Sequence, residues 1–89
     1  MNEEYEYLYD EDYVNFTEFP LAVTLMCLGK KLVALNRDPK TPEKIEFVFE
    51  KNEAVKNFVT RYWNGELLVE PKQFWNISRE LKSRIRLMK

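Results

Sequence analysis

The chain has 89 residues, 45% hydrophobic and 15% aromatic, a composition typical of one small globular domain rather than a disordered segment. The net charge of −1 hides an uneven distribution, because residues 1–18 carry seven acids and no bases. The rest of the chain carries fourteen bases and eight acids. We therefore expect an acidic tail attached to a mildly basic domain.

The composition also argues against several kinds of catalytic or metal site. The chain has no histidine and one cysteine, so it lacks the commonest general base and cannot form a zinc site from sulfur and nitrogen ligands. Gly29 and Gly65 are too far apart to form a phosphate-binding loop. Cys27, between Met26 and Leu28, is predicted to be a small buried side chain rather than a nucleophile. We expect no enzymatic activity, no cofactor and no metal.

The cellular setting is predicted from three absences in the sequence. A single cysteine excludes an internal disulfide. No apolar run approaches the roughly 20 residues needed to span a membrane. The acidic N-terminus lacks the basic start of a signal peptide. We expect a cytoplasmic protein with no membrane partner.

The first predicted elements are a helix and two strands. The helix covers residues 18–28, with Thr17 as its N-cap. Residues 31–35 and 45–50 are predicted strands, and apolar and polar side chains alternate along the second. Residues 36–44 contain two prolines and are predicted to be the loop of a hairpin.

The C-terminal half is predicted to contain two further helices. One begins after the N-cap Asn52 and ends at Asn64-Gly65, an optional short strand follows at residues 67–69, and the other helix begins at Pro71. The buried stripe expected on the last helix is Phe74, Ile77, Leu81, Ile85 and Met88.

The predicted fold is a single small α+β domain of order α–β–β–α–(β)–α, in which helices pack a short antiparallel hairpin. A mobile, acidic, Tyr-rich tail over residues 1–16 precedes the domain, which covers residues 17–89.

A spaced series of residues across this domain matches a known pattern. The series is Leu21-Ala22, Gly29, Leu32, Phe47-Val48-Phe49, Tyr62-Trp63-Asn64-Gly65, Val69, Pro71 and Leu81-Lys82-Ser83-Arg84-Ile85. Over about residues 18–86 the chain resembles an uncharacterised family of small domains of unknown function in bacterial and phage-type sequences. The resemblance implies a discrete domain, brings no activity with it, and favours a phage or mobile-element origin. The chain departs from the pattern at Glu70, where the family is expected to have Asp.

The last predicted helix carries a basic stripe that includes one aromatic residue. Its members, three or four residues apart, are Lys72, Trp75, Arg79, Lys82, Arg86 and Lys89. At 3.6 residues per turn these side chains share one face. Such a face suits the phosphates of DNA or RNA, with Trp75 stacking on a base. The alternatives are a solvated outer face that favours the helix dipole, and a core position for Trp75.

The acidic tail is the second candidate surface. Its candidate partner-binding residues are Tyr5, Tyr7, Tyr9, Asp10, Asp12 and Tyr13. The four tyrosines occupy odd positions, so an extended strand would place them on one face. The tail could shield the basic helix, dock on a basic protein partner, or mimic the charge of a nucleic acid. A solubilising tail without a partner is the fourth alternative.

The sequence as a whole predicts a small non-enzymatic binding module, associated with nucleic acid through the basic C-terminal helix. The alternative is a phage or mobile-element protein-interaction module, an inhibitor or adaptor, that acts through the acidic tail. Under either function, the oligomeric state is open, because Trp63 and Trp75 could form a homodimer interface.

Overall fold

The computed structural model describes residues 12–88, which form three helices and one three-stranded antiparallel sheet. In chain order the elements are β1 (Tyr13–Phe16), α1 (Phe19–Cys27), β2 (Leu32–Asp38), β3 (Thr41–Glu50), α2 (Glu53–Trp63) and α3 (Pro71–Leu87). The predicted α+β class is confirmed. The expected mobility of the tail falls for residues 1–11 outside the described part of the chain, whereas Tyr13–Phe16 form strand β1.

The sheet has the order β1-β3-β2, so β3 is its central strand. The expected hairpin of β2 and β3 is present, and Leu35 pairs with Phe47 within it. The long loop predicted over residues 36–44 was wrong, because both strands continue into that segment. The turn is short, and the Asp38 carboxylate closes it by accepting hydrogen bonds from the Lys40 amide at 2.9 Å and the Thr41 hydroxyl at 3.3 Å.

An irregularity in β3 explains how a strand accommodates the second proline of that segment. Arg37 pairs with Ile45, but the next residue, Asp38, pairs with Thr41. The residues between Thr41 and Ile45, including Pro42, therefore form a bulge. Proline has no amide hydrogen to donate, and a bulge is one of the few strand positions that tolerate it.

The third strand of the sheet is β1, which lies within the predicted tail. Tyr13 pairs with Glu50 and Phe16 pairs with Phe47, so the sheet begins four residues before the expected domain start at residue 17. The Phe16 ring packs 6.2 Å from that of Phe49, between centroids. Val14 and Phe16 supply core contacts, which is why this end of the acidic run is ordered against the domain.

The optional strand predicted at residues 67–69 was wrong. This segment is irregular in the structure, and the Leu68 side chain is 91% exposed. The segment therefore lies outside the three-stranded sheet.

Helix α1 lies at the centre of the core. Five consecutive residues, Leu21 to Leu25, are buried, because this short helix is covered on several sides. Its N-cap is Glu18, one residue after the predicted Thr17, and the Glu18 side chain makes no capping hydrogen bond. Pro20 falls in the first turn, where its missing amide hydrogen leaves no helix bond unmade.

The predicted boundaries of the two later helices are confirmed. The Asn52 side chain accepts a hydrogen bond from the Val55 amide at 2.9 Å and caps α2. Gly65, with φ at +70°, takes the left-handed conformation after α2. The Glu70 carboxylate accepts hydrogen bonds from the amides of Lys72 at 3.1 Å and Gln73 at 2.8 Å. Glu70 therefore caps α3, although the family pattern is expected to have Asp at this position.

Candidate nucleic-acid interface

The buried side of α3 fixes which of its faces points outward. Leu81 is fully buried, and Phe74, Ile77 and Ile85 pack against the same core cluster. These four members of the predicted apolar stripe are confirmed, whereas Met88 follows the helix as its C-cap residue. Since one side of the helix is held against the core, its other side is presented to solvent.

Two contacts along α3 show that it runs antiparallel to α1. Near its start, the Gln73 side-chain amide donates to the Cys27 carbonyl at the end of α1, at 3.5 Å. Further along, the Lys82 ammonium lies 5.7 Å from the centre of the Phe19 ring at the start of α1. The orientation of the outer face therefore depends on two fixed points as well as on the core.

The structure brings the described members of the basic stripe together on that outer face. Lys72, Trp75, Arg79, Lys82 and Arg86 are all exposed. Lys89, the sixth predicted member, lies outside the described residues. Trp75 is 59% exposed, which rules out the core position considered for it. The stripe therefore offers four cations and one indole ring to a ligand.

Within residues 12–88, no carboxylate lies within salt-bridge distance of the four stripe cations. The ion pair found there joins Arg61 to Glu66, on α2 and the segment after it, at 4.0 Å. Glu80, the acid within α3, is one residue from Arg79 and is therefore rotated about 100° around the helix from it. Among the described residues, the positive charge of the stripe is thus not neutralised by a direct ion pair.

The structure describes two of the six predicted partner-binding residues of the tail. Tyr5, Tyr7, Tyr9 and Asp10 lie outside the described residues. Asp12 and Tyr13 belong to the edge of the sheet, since the Lys51 amide donates to the Asp12 carbonyl at 2.9 Å and Tyr13 opens β1.

Trp63, considered for a homodimer together with Trp75, closes α2 and is 60% exposed. Its ring meets that of Tyr62 edge-on, with 5.1 Å between centroids. Burial and the neighbouring Glu18 carboxylate raise the pKa of Tyr62. The structure thus places both tryptophans at the surface.

The sequence analysis missed a groove between β1 and α2. It has a volume of about 470 Å³, and the described residues that line it are Val14, Phe16, Lys51, Asn52, Glu53, Val55, Lys56, Val59 and Thr60. Four of these are apolar, and the spacing of Val55 and Val59 on a helix was a signal for their shared face. The other wall, formed by Val14 and Phe16, was not predicted because these residues were assigned to the tail.

Cys27 is half-buried near the start of α3. Burial, and secondarily the Glu70 carboxylate, raise the pKa of its thiol. A raised pKa keeps the thiol protonated at neutral pH, the opposite of the change that activates a cysteine nucleophile. Residues 12–88 also contain no group of three metal-binding side chains and no helix long and apolar enough to cross a membrane.

The fold and this surface define a small α+β domain with an exposed basic helix. The chain belongs to the family DUF5659, a domain of unknown function, whose model matches residues 11–87. The expected membership of an uncharacterised family is confirmed, and the matched range includes β1, which the sequence analysis had left outside. No curated protein and no solved structure matches the chain.

Proposed function

We propose that this chain is a small non-enzymatic binding module that associates with nucleic acid through the outer face of α3. The observation that carries the proposal is the exposure of Lys72, Arg79, Lys82 and Arg86 on one helix face, where no carboxylate of residues 12–88 lies within salt-bridge distance of them. Cations arranged in this way exchange the counterions of a phosphate backbone for protein contacts, which is a favourable process at low salt.

The length of the stripe suits several phosphates at once. Lys72 and Arg86 are fourteen residues apart, which corresponds to about 21 Å along a helix axis. Phosphates follow one another every 3.4 Å of axis on each strand of a duplex. One bound strand would therefore present several phosphates along the stripe, so that Arg79 and Lys82 at its centre act together with the outer cations.

Trp75 gives the surface a second means of contact. It lies between Lys72 and Arg79 on the stripe, and its ring is largely exposed. A base that stacks on an aromatic side chain contributes roughly 1–3 kcal/mol to binding, with little dependence on sequence. We assign phosphate binding to the four cations and base stacking to Trp75.

Fluorescence anisotropy with labelled single- and double-stranded DNA and RNA tests the proposal. At low salt we expect a Kd on the order of micromolar, at the tighter end of the range for sequence-independent binding. The double variant Arg79→Glu/Lys82→Glu should abolish this binding. A Kd weaker than about 100 µM for every oligonucleotide would place the protein outside that range and refute the proposal.

A matched control separates the stripe from total charge. Lys40→Glu/Lys44→Glu makes the same change in net charge at two exposed residues near the β2–β3 turn. It should retain binding. Equal losses in both double variants would show that net charge, rather than the face of α3, is responsible. Circular dichroism of each variant checks that the fold is unchanged.

The competing function is that of a phage or mobile-element inhibitor or adaptor that acts through the acidic tail. It predicts that binding depends on the tail and not on the basic face of α3. Replacing the acids of residues 1–11 by their amides would then abolish capture of a basic protein partner. Arg79→Glu/Lys82→Glu would leave that capture unchanged. The two functions therefore depend on different residues and can be told apart.

A further inference from the structure

We propose that the groove between β1 and α2 binds a peptide segment rich in tyrosine and acidic residues, and that residues 1–11 of the same chain are that segment. The groove has apolar walls, because Val14 and Phe16 face Val55 and Val59 across it. Lys51 and Lys56 also line it, and Glu53 is the acid among the described lining residues. Such a site suits apolar side chains that are accompanied by negative charge.

The sequence of residues 1–11 has this chemistry. It contains five acids, three tyrosines and Leu8, and it has no lysine or arginine. The uninterrupted apolar part is Tyr7-Leu8-Tyr9, followed directly by Asp10 and Glu11. Burial of tyrosine and leucine side chains against valine and phenylalanine supplies the main stabilisation, and the lysines favour this segment over a basic one.

The point of attachment makes an intramolecular complex reasonable. The Lys51 amide donates to the Asp12 carbonyl at 2.9 Å, so residue 12 lies beside a residue that lines the groove. From Asn52 to Thr60 the helix rises about 12 Å, which an extended chain covers in about four residues. Residues 1–11 are thus long enough to follow the groove. Short tethers of this kind give effective concentrations on the order of millimolar.

The inference does not depend on the nucleic-acid proposal, since no residue of α3 lines the groove. It differs from the idea that the acidic segment shields the basic helix. If the segment occupies the groove, its charges are held beside Lys51 and Lys56 rather than across α3. Binding of nucleic acid and occupation of the groove can then take place independently.

Paramagnetic relaxation enhancement in the full chain tests the proposal. A nitroxide is attached at Tyr5→Cys in a Cys27→Ala background, and amide signals of ¹⁵N-labelled protein are compared before and after reduction of the label. Broadening is expected at Val55 and Val59 and not at Arg79. Broadening confined to α3 would overturn the proposal in favour of shielding.

Two variants distinguish a bound segment from one that is merely tethered nearby. Lys56→Glu should lower the ratio of bound to unbound segment about two- to fivefold, as expected when an exposed ion pair is lost. Lys44→Glu, an equal charge change outside the groove, should leave it unchanged. Leu8→Ser/Tyr9→Ser should lower it roughly tenfold or more because apolar burial is lost. Identical broadening in all these proteins would overturn the proposal.

A mixed sample distinguishes an intramolecular complex from a dimer. Spin-labelled protein without ¹⁵N is added to ¹⁵N-labelled protein without a spin label. An absence of broadening in this sample supports binding within one chain. Broadening at Val55 and Val59 that grows with concentration would show that a second copy supplies the segment, and would contradict the proposal as stated.

Discussion

Helices α2 and α3 have similar apolar spacing, yet they leave different surfaces on the molecule. Helix α3 buries Ser78 and Leu81 almost completely and turns a basic stripe outward. Helix α2 buries only Val55 to that extent, and the partly exposed Val59 lines a groove beside β1. Helix α3 packs along α1 and leaves a basic face exposed, whereas α2 leaves apolar surface accessible beside β1. The first surface suits a polyanion and the second an apolar peptide.

The largest expected difference between the helices is in what their buried residues contribute to stability. Leu81→Ala leaves a cavity in the closed side of the core and should lower the free energy of unfolding by about 2–5 kcal/mol. Val55→Ala removes less apolar surface at the open side, and we expect about 2 kcal/mol. Urea denaturation of both variants measures this. A larger loss for Val55→Ala than for Leu81→Ala would contradict the contrast in packing.

A smaller effect is expected from the helix caps. Asn52→Ala removes the side-chain acceptor of the Val55 amide and should destabilise the protein by about 1 kcal/mol. Glu70→Ala removes an acceptor of two amides and a negative charge near the positive end of α3, so a loss of about 1 kcal/mol or slightly more is expected. The same urea denaturation measures both variants. If Glu70→Ala has no effect, this carboxylate does not stabilise α3.

Much of this contrast could be predicted from the sequence, because it depends on local signals. Asn52, Gly65 and Pro71 mark helix boundaries through capping, left-handed backbone and the missing amide hydrogen of proline. The 3–4 spacing of the α3 residues also separated core from surface correctly, including the exposure of Arg79 and Lys82. These signals act within one or two helix turns and need no tertiary information.

The features that were missed depend on contacts between distant parts of the chain. Strand β1 was not predicted because Val14 and Phe16 follow a run of acidic residues. This strand forms only because it can pair with β3. The prolines suggested a long loop, but the pairing of β2 with β3 continues around the bulge at Pro42. The groove was missed for the same reason, since its two walls are about forty residues apart in sequence.

The smallest expected effect is on stability at alkaline pH. The raised pKa values of Cys27 and Tyr62 favour their neutral forms in the folded state. Their stabilisation is complete below the ordinary values of 9.0 and 10.0, and is lost as the pH rises through the higher folded values. Urea midpoints between pH 8 and pH 11 measure the decline. Cys27→Ala and Tyr62→Phe should each reduce its steepness, and an unchanged decline in both variants would exclude these groups as its source.

The salt dependence of oligonucleotide binding tests most directly whether the α3 face acts as one phosphate-binding surface. With four cations in contact, a plot of log Kobs against log salt concentration should have a slope of roughly −3 to −4. Arg79→Glu/Lys82→Glu should abolish binding, and Lys82→Ala alone should make the slope less steep by about one contact. A slope near zero, or one that Lys82→Ala does not change, would contradict the assignment of the α3 face to nucleic-acid binding.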